Sequence, residues 1–127
     1  DIIVIYAGDN DLGDGRHPEE VYLYFQNMMQ LIKYYCGGIP VGFISVKTSI
    51  LRSHLYNSIE YTNKIINSEI NLNYSSCTFI DINSGMHEKG IDEKTLYETD
   101  GLHLSLEGYR IWVEEVRLQF LNKLLSP

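Results

Sequence analysis

The chain has 127 residues, is 44% apolar and carries a formal net charge of −7, which fits one globular domain with an adequate core. Its acidity, with no lysine- or arginine-rich run, argues against a nucleic-acid footprint and against electrostatic docking on an anionic membrane. No stretch approaches the ~20 apolar residues that span a bilayer.

After Asp1, "DIIVIYAG" is continuously apolar, rich in Ile and Val, and closed by Gly8. That is the pattern of a parallel strand buried on both faces. The chain enters this strand at once and opens on Asp1 rather than methionine, so the expectation is that its natural start lies upstream. "LGDGRH" reads as a loop. Pro18 followed by Glu19 and Glu20 marks a helix start. Val21, Phe25, Met28, Ile32 and Tyr35 then recur at helical spacing until Gly37 and Gly38 stop the helix.

"IPVGFISV" predicts a second buried strand, followed by the loop "KTSILR". A helix is expected from about Ser53 to about Glu69, with Leu55, Ile59, Thr62 and Ile66 on one face, and "NLNYSS" is a turn. "CTFIDI" is a third short strand. A long irregular segment from Asn83 to His103 leads to a last helix capped by Ser105. Tyr109, Trp112, Val113, Val116, Phe120 and Leu124 form its buried stripe. Cys36 and Cys77 lack metal-ligand spacing and read as small buried hydrophobes.

Strands alternating with helices imply a parallel sheet with helices on its faces, and right-handed crossovers set the three strands side by side. The ligand site of such a sheet lies beyond the carboxyl ends of its strands. The loops there carry Asp9, Asn10 and Asp11, then Ser45, Lys47, Thr48 and Ser49, then Asp81, Asn83 and Ser84. Asp100 and His103 arrive just before the last helix.

Two of these stretches bear chemistry. In "DGLH" the Asp100 carboxylate can accept from the Nδ1–H of His103, fixing the tautomer and leaving Nε2 free to take a proton. The plain structural reading is a helix-capping aspartate beside a solvated histidine. In "GDND" the Asn10 side chain offers an N–H₂ at the tip of the first strand, a group suited to stabilising an oxyanion. Its plain reading is a polar turn with side chains bonded to local backbone. Lys47 and Arg52 read as solvated cations, with a place beside the cleft as the alternative. His17, His54 and His87 have no partner at useful spacing, and no histidine pair has metal-ligand spacing with a carboxylate.

Together, "AGDND" and "DGLHLSLEGY" resemble the SGNH, or GDSL-like, hydrolase family, and "GIPVGFISVKTSILR" resembles its middle strand and following loop. Many members there read isoleucine-lysine-proline-serine and then an arginine; here Val46 and Thr48 replace the isoleucine and proline, and Arg52 is in place. The resemblance covers the whole chain. It implies a three-layer α/β/α sandwich with a parallel sheet of flavodoxin-like order, only the last three strands of which are represented. Residues 1–127 are then the C-terminal portion of a single domain.

The resemblance implies that Asn10 stabilises the oxyanion, that Gly8 and Asp11 complete its block, that His103 is the general base and that Asp100 orients it. It also implies a nucleophilic serine in a Gly-Asp-Ser segment, which occurs nowhere in this sequence. The nucleophile is therefore expected from a missing upstream segment. Ser45, Ser49 and Ser53 are possible replacements, none of them in a nucleophile elbow. The expected activity is hydrolysis of a small-molecule ester, a short acyl or acetyl ester, without metal or cofactor. The rival reading is a non-catalytic ligand-binding or interaction module of the same fold. The expected partner along the Asp1–Tyr6 strand edge is the missing N-terminal segment or a second copy.

Overall fold

In the structure, a computed structural model that describes residues 1–126, the three apolar runs become β1 (Ile3–Tyr6), β2 (Val41–Ile44) and β3 (Cys77–Ile80). They pair in parallel in the order β1-β2-β3. The register aligns Ile3 with Val41 and Cys77, and Tyr6 with Ile44 and Ile80. Because successive side chains alternate between faces, this register sorts the core into two layers.

One face presents Ile3, Ile5, Val41, Phe43, Cys77 and Phe79 to α2 (Pro18–Cys36) and α3 (Tyr56–Asn73). Val21, Phe25 and Met29 from α2 and Ile59, Ile66 and Ile70 from α3 complete that layer. The other face presents Tyr6, Ile44 and Ile80 to α4 (Ile82–Met86) and α5 (Leu106–Val116). Burial there is tight enough that β2 needs a glycine: a Cβ on Gly42 would lie 2.9 Å from Ile80 and from Phe120. The fold is thus a three-layer α/β/α sandwich, as the alternating elements predict.

Several boundaries differ from the sequence reading. Residues 53–55 form a 3-10 turn and α3 continues to Asn73, because no glycine or proline stops it and Ile70 extends its buried face. Tyr35 is exposed: the 19 residues of α2 far outlast the four-residue strands beneath it. The segment expected to be irregular holds α4, capped by Asp81, and a 3-10 turn at Glu93–Leu96. An isolated bridge between Tyr97 and Leu104 then brings the chain back.

Only part of the final stripe is buried. Trp112 and Phe120 are covered, whereas Tyr109, Val113 and Leu124 are exposed. Trp112 rests edge-on against Tyr6 of the edge strand, with ring centroids 4.7 Å apart. The Tyr109–Val113 side of α5 therefore overhangs the sheet. Beyond Val116 the helical chain widens into a π-turn at Arg117–Leu121 before α6 (Asn122–Leu125). The wider turn breaks the 3.6-residue register and rotates Leu124 out of the stripe. Cys77 is buried and Cys36 half-buried, and both are free thiols. Burial pushes the Cys77 thiol up to about 12.

Candidate active site

The chain leaves β1 through Gly8, whose φ of 112° lies in the left-handed region that favours glycine. A side chain there would also come within 3.0 Å of Val21. The turn launches α1 (Asp9–Gly13), so the polar block expected to be a turn is a short helix, with Asp9 and Asp11 at its positive end. Gly8 is buried, Asp11 is half-buried and Asn10 is exposed.

Asp9 is buried and draws two cations onto one carboxylate. Oδ2 pairs with Lys47 Nζ and accepts the Tyr6 hydroxyl at 3.0 Å, while Oδ1 pairs with Arg52 Nη1. Arg52 Nη1 also donates to the Asp9 carbonyl at 2.8 Å, and Nη2 donates to Asn10 Oδ1 at 3.3 Å. Burial alone would raise the Asp9 carboxyl. The hydrogen bond and charge of Lys47, followed by Arg52 and Tyr6, override it and hold the group below its ordinary range. Burial, then the Asp9 charge, pushes the Tyr6 hydroxyl well above its usual range.

Lys47 is only 5% exposed and Arg52 is half-buried, which corrects the reading of both as solvated cations. A lone buried lysine is costly; the Asp9 carboxylate paired with its ammonium makes this one tolerable.

Asp100 sits in a turn made by Gly101, whose φ is 69°. Its Oδ1 accepts from the backbone N–H of Leu102 at 2.9 Å and of His103 at 3.0 Å. That leaves Oδ2 facing His103 Nδ1 at 2.5 Å. The His103 side-chain contact, then the two backbone N–H groups, hold the Asp100 carboxyl down to about 2. The Glu98 N–H donates to the His103 carbonyl at 2.7 Å and the Tyr97–Leu104 bridge follows, so the turn is fastened from both sides. With Nδ1 engaged, Nε2 is the free nitrogen of an exposed imidazole.

His103, Asn10, Gly8 and Asp11 all line one cleft of about 400 Å³ beyond the end of β1, walled by Tyr6, Tyr109 and Trp112 and floored by Lys47. Asp100 stands behind His103 and outside the lining. The structure thus brings the sequence-derived residues together from two ends of the chain. An oriented imidazole beside an amide can relay a proton and receive developing negative charge.

Among the described residues, no serine, threonine or cysteine lines this cleft. Ser45 is buried and accepts the Ile82 N–H at 2.9 Å, and buried Ser49 accepts the Arg52 N–H at 3.3 Å, so both hydroxyls hold backbone. Exposed Ser53 is also absent from the cleft. Among the described residues no cluster of three or more His, Cys, Asp or Glu could hold a metal, and no helix is long and apolar enough to cross a membrane.

A second cleft, about 470 Å³, opens beyond β2 and β3 and contains neither His103 nor Asn10. His87, which has no partner at sequence level, lies there with Nε2 2.5 Å from the Thr48 hydroxyl. Thr48 is 39 positions away, so no local spacing signals the contact.

No family model matches the chain, and no curated protein matches it. Among solved structures it is similar to one described as "a putative platelet activating factor from Streptococcus pneumonia", at 21% identity with a TM-score of 0.76. The match covers 92% of this chain and 58% of that one, so the chain spans little more than half the neighbour's length. At this identity the likeness establishes the shared fold.

Proposed function

We propose that the chain is the histidine-bearing portion of a serine-dependent ester hydrolase of the GDSL-like (SGNH) kind, acting on a short acyl or acetyl ester. The observation that carries this reading is the convergence of the Asp100–His103 pair and Asn10 on one cleft at the strand ends. The fold shared with the streptococcal protein supports it at the level of architecture. Because no hydroxyl nucleophile other than tyrosine lines the cleft, the serine comes from another segment. That segment pairs with the free edge of β1, which delivers its own carboxyl end beside Gly8.

In this mechanism His103 Nε2 takes the serine proton as the serine oxygen bonds to the ester carbonyl carbon. The carbonyl electron pair moves to oxygen, where the Asn10 amide receives it. Collapse breaks the bond to the alcohol, which leaves with the proton held by His103, and water repeats the sequence on the acyl group. Asp100 keeps the imidazole in the required tautomer throughout.

The test is hydrolysis of 4-nitrophenyl acetate, by the chain alone and by the full natural polypeptide that contains it. The chain alone should show no rate above that of its His103→Ala variant. The full polypeptide should turn over, be labelled by a fluorophosphonate and lose its rate on His103→Ala. A His103-dependent rate in the chain alone would place the nucleophile within it. Absence of turnover and labelling in the full polypeptide would favour a ligand-binding module, the reading that the missing cleft hydroxyl also permits.

A further inference from the structure

The side-chain amide of Asn10 has one donor end and one acceptor end, and its neighbours decide which faces the cleft. Arg52 can only donate, and its Nη2 lies 3.3 Å from Asn10 Oδ1. The amide oxygen is thereby drawn toward Arg52, and Nδ2 is left for the cleft. A hydrogen bond received at Oδ1 also polarises the amide and strengthens Nδ2–H as a donor.

Arg52 is itself fixed. Its Nη1 donates to the Asp9 carbonyl at 2.8 Å and pairs with the Asp9 carboxylate, and only 14% of its side chain is exposed. Its seat is a gap in α1. A Cβ on Gly13 would lie 2.5 Å from both Cζ and Nη2 of Arg52. Gly13 does not have the positive φ of the turn glycines, so its backbone tolerates a side chain; the guanidinium does not.

We infer that Arg52, seated over Gly13 and anchored on Asp9, is a positioning residue that turns the Asn10 amide so that Nδ2–H₂ faces the cleft. The inference rests on the reading of Asn10 as the oxyanion donor, but its geometry can be tested without any ester.

The experiment is ¹⁵N NMR of the full natural polypeptide that contains the chain, following the Asn10 side-chain N–H₂ pair. In the wild type its heteronuclear NOE should match the backbone amides of α1. In Arg52→Gln it should fall to the level of freely rotating surface amides, with the α1 backbone signals retained. Gly13→Ala should give the same loss while removing no charge, because the new methyl displaces the guanidinium and alanine suits a helix. If Arg52→Gln does not fold, Gly13→Ala decides. An Asn10 pair that is already mobile in the wild type, or unchanged in Gly13→Ala, overturns the inference. Neither result bears on whether the full polypeptide hydrolyses esters.

Discussion

His103 Nδ1 lies 2.5 Å from Asp100 Oδ2, and the pair stands at the surface rather than in the core. Exposed side-chain contacts of this kind contribute little to stability. Asp100→Asn should therefore leave thermal unfolding nearly unchanged. Its amide nitrogen would face Nδ1 as a donor and drive the imidazole to the Nε2–H tautomer, the wrong one for accepting a proton at Nε2. Long-range ¹⁵N–¹H spectra of His103 should report Nδ1–H in the wild type and Nε2–H in the variant. On the proposed mechanism, His103→Ala in the full polypeptide should lower the rate by roughly 10²–10⁴-fold.

The same pair fixes a pH expectation. The Asp100 carboxyl is lowered from 3.8 to about 2, so whatever it contributes is fully present above its ordinary value and is lost as pH falls through about 2. The Asp100–His103 contact should survive acidification to about pH 4, read by the His103 and Leu102 backbone amide shifts. Loss of those shifts well above pH 4 would contradict the assigned hydrogen bonds.

Asp9 should be the most sensitive polar position in the chain. Removing its carboxylate strands Lys47 and Arg52, whose side chains are 7% and 14% exposed. Breaking a buried pair in this way typically costs about 3–5 kcal/mol, a large share of a usual total of about 5–15 kcal/mol. Urea unfolding of Asp9→Ala should show that loss, while Lys47→Met, which leaves Arg52 on Asp9, should cost less. Because the Asp9 carboxyl is lowered on folding, its stabilisation is present above its ordinary value and fades as pH falls through the folded one.

Gly42 tests the packing behind β2. Its missing Cβ would meet Ile80 and Phe120 at 2.9 Å, and overfilling a tight core costs about 1–3 kcal/mol. Gly42→Ala should lower the urea midpoint without changing the slope. Phe120→Ala, which opens a cavity in the same place, should cost about 3–5 kcal/mol alone. The double variant should lose less than the sum, since each change relieves the other.

The parts of this fold that were legible in sequence are those written in contiguous residues. Three apolar runs ended by polar loops gave the strands, and Asp100 and His103 face each other because they share one turn. The short helices α1 and α4 are not legible in the sequence because five residues are too few to show a helical period. The burial of Lys47 and Arg52 was illegible for a different reason: their carboxylate is 38 and 43 positions away. Nothing local distinguishes such a lysine from a solvated one. Tyr109 and Val113 of α5 belong to the apolar stripe but face a surface that the described chain leaves open.

That open surface supports the last prediction. Among the described residues β1 pairs only with β2, so its other edge presents unpaired backbone groups. Ile2 and Val4 are 46% and 44% exposed along it. On one side lies a mostly apolar groove formed by Tyr109, Trp112, Val113, Val116, Arg117 and Leu121, and on the other a smaller one that includes Ala7, Val21 and Tyr24. The edge has no proline or lysine to block strand addition. The β1 edge should therefore find a partner, a second copy in the isolated chain or the segment proposed to supply the nucleophile in the full polypeptide. Sedimentation velocity over a concentration series should show species heavier than the 14.7 kDa monomer. Val4→Lys, placing a charge on the edge without touching the cleft, should shift the distribution toward monomer and leave the circular dichroism spectrum intact. A wild-type chain that stays monomeric and well folded at high concentration would mean that β1 is a finished edge, and the proposed external nucleophile would then need another route to His103.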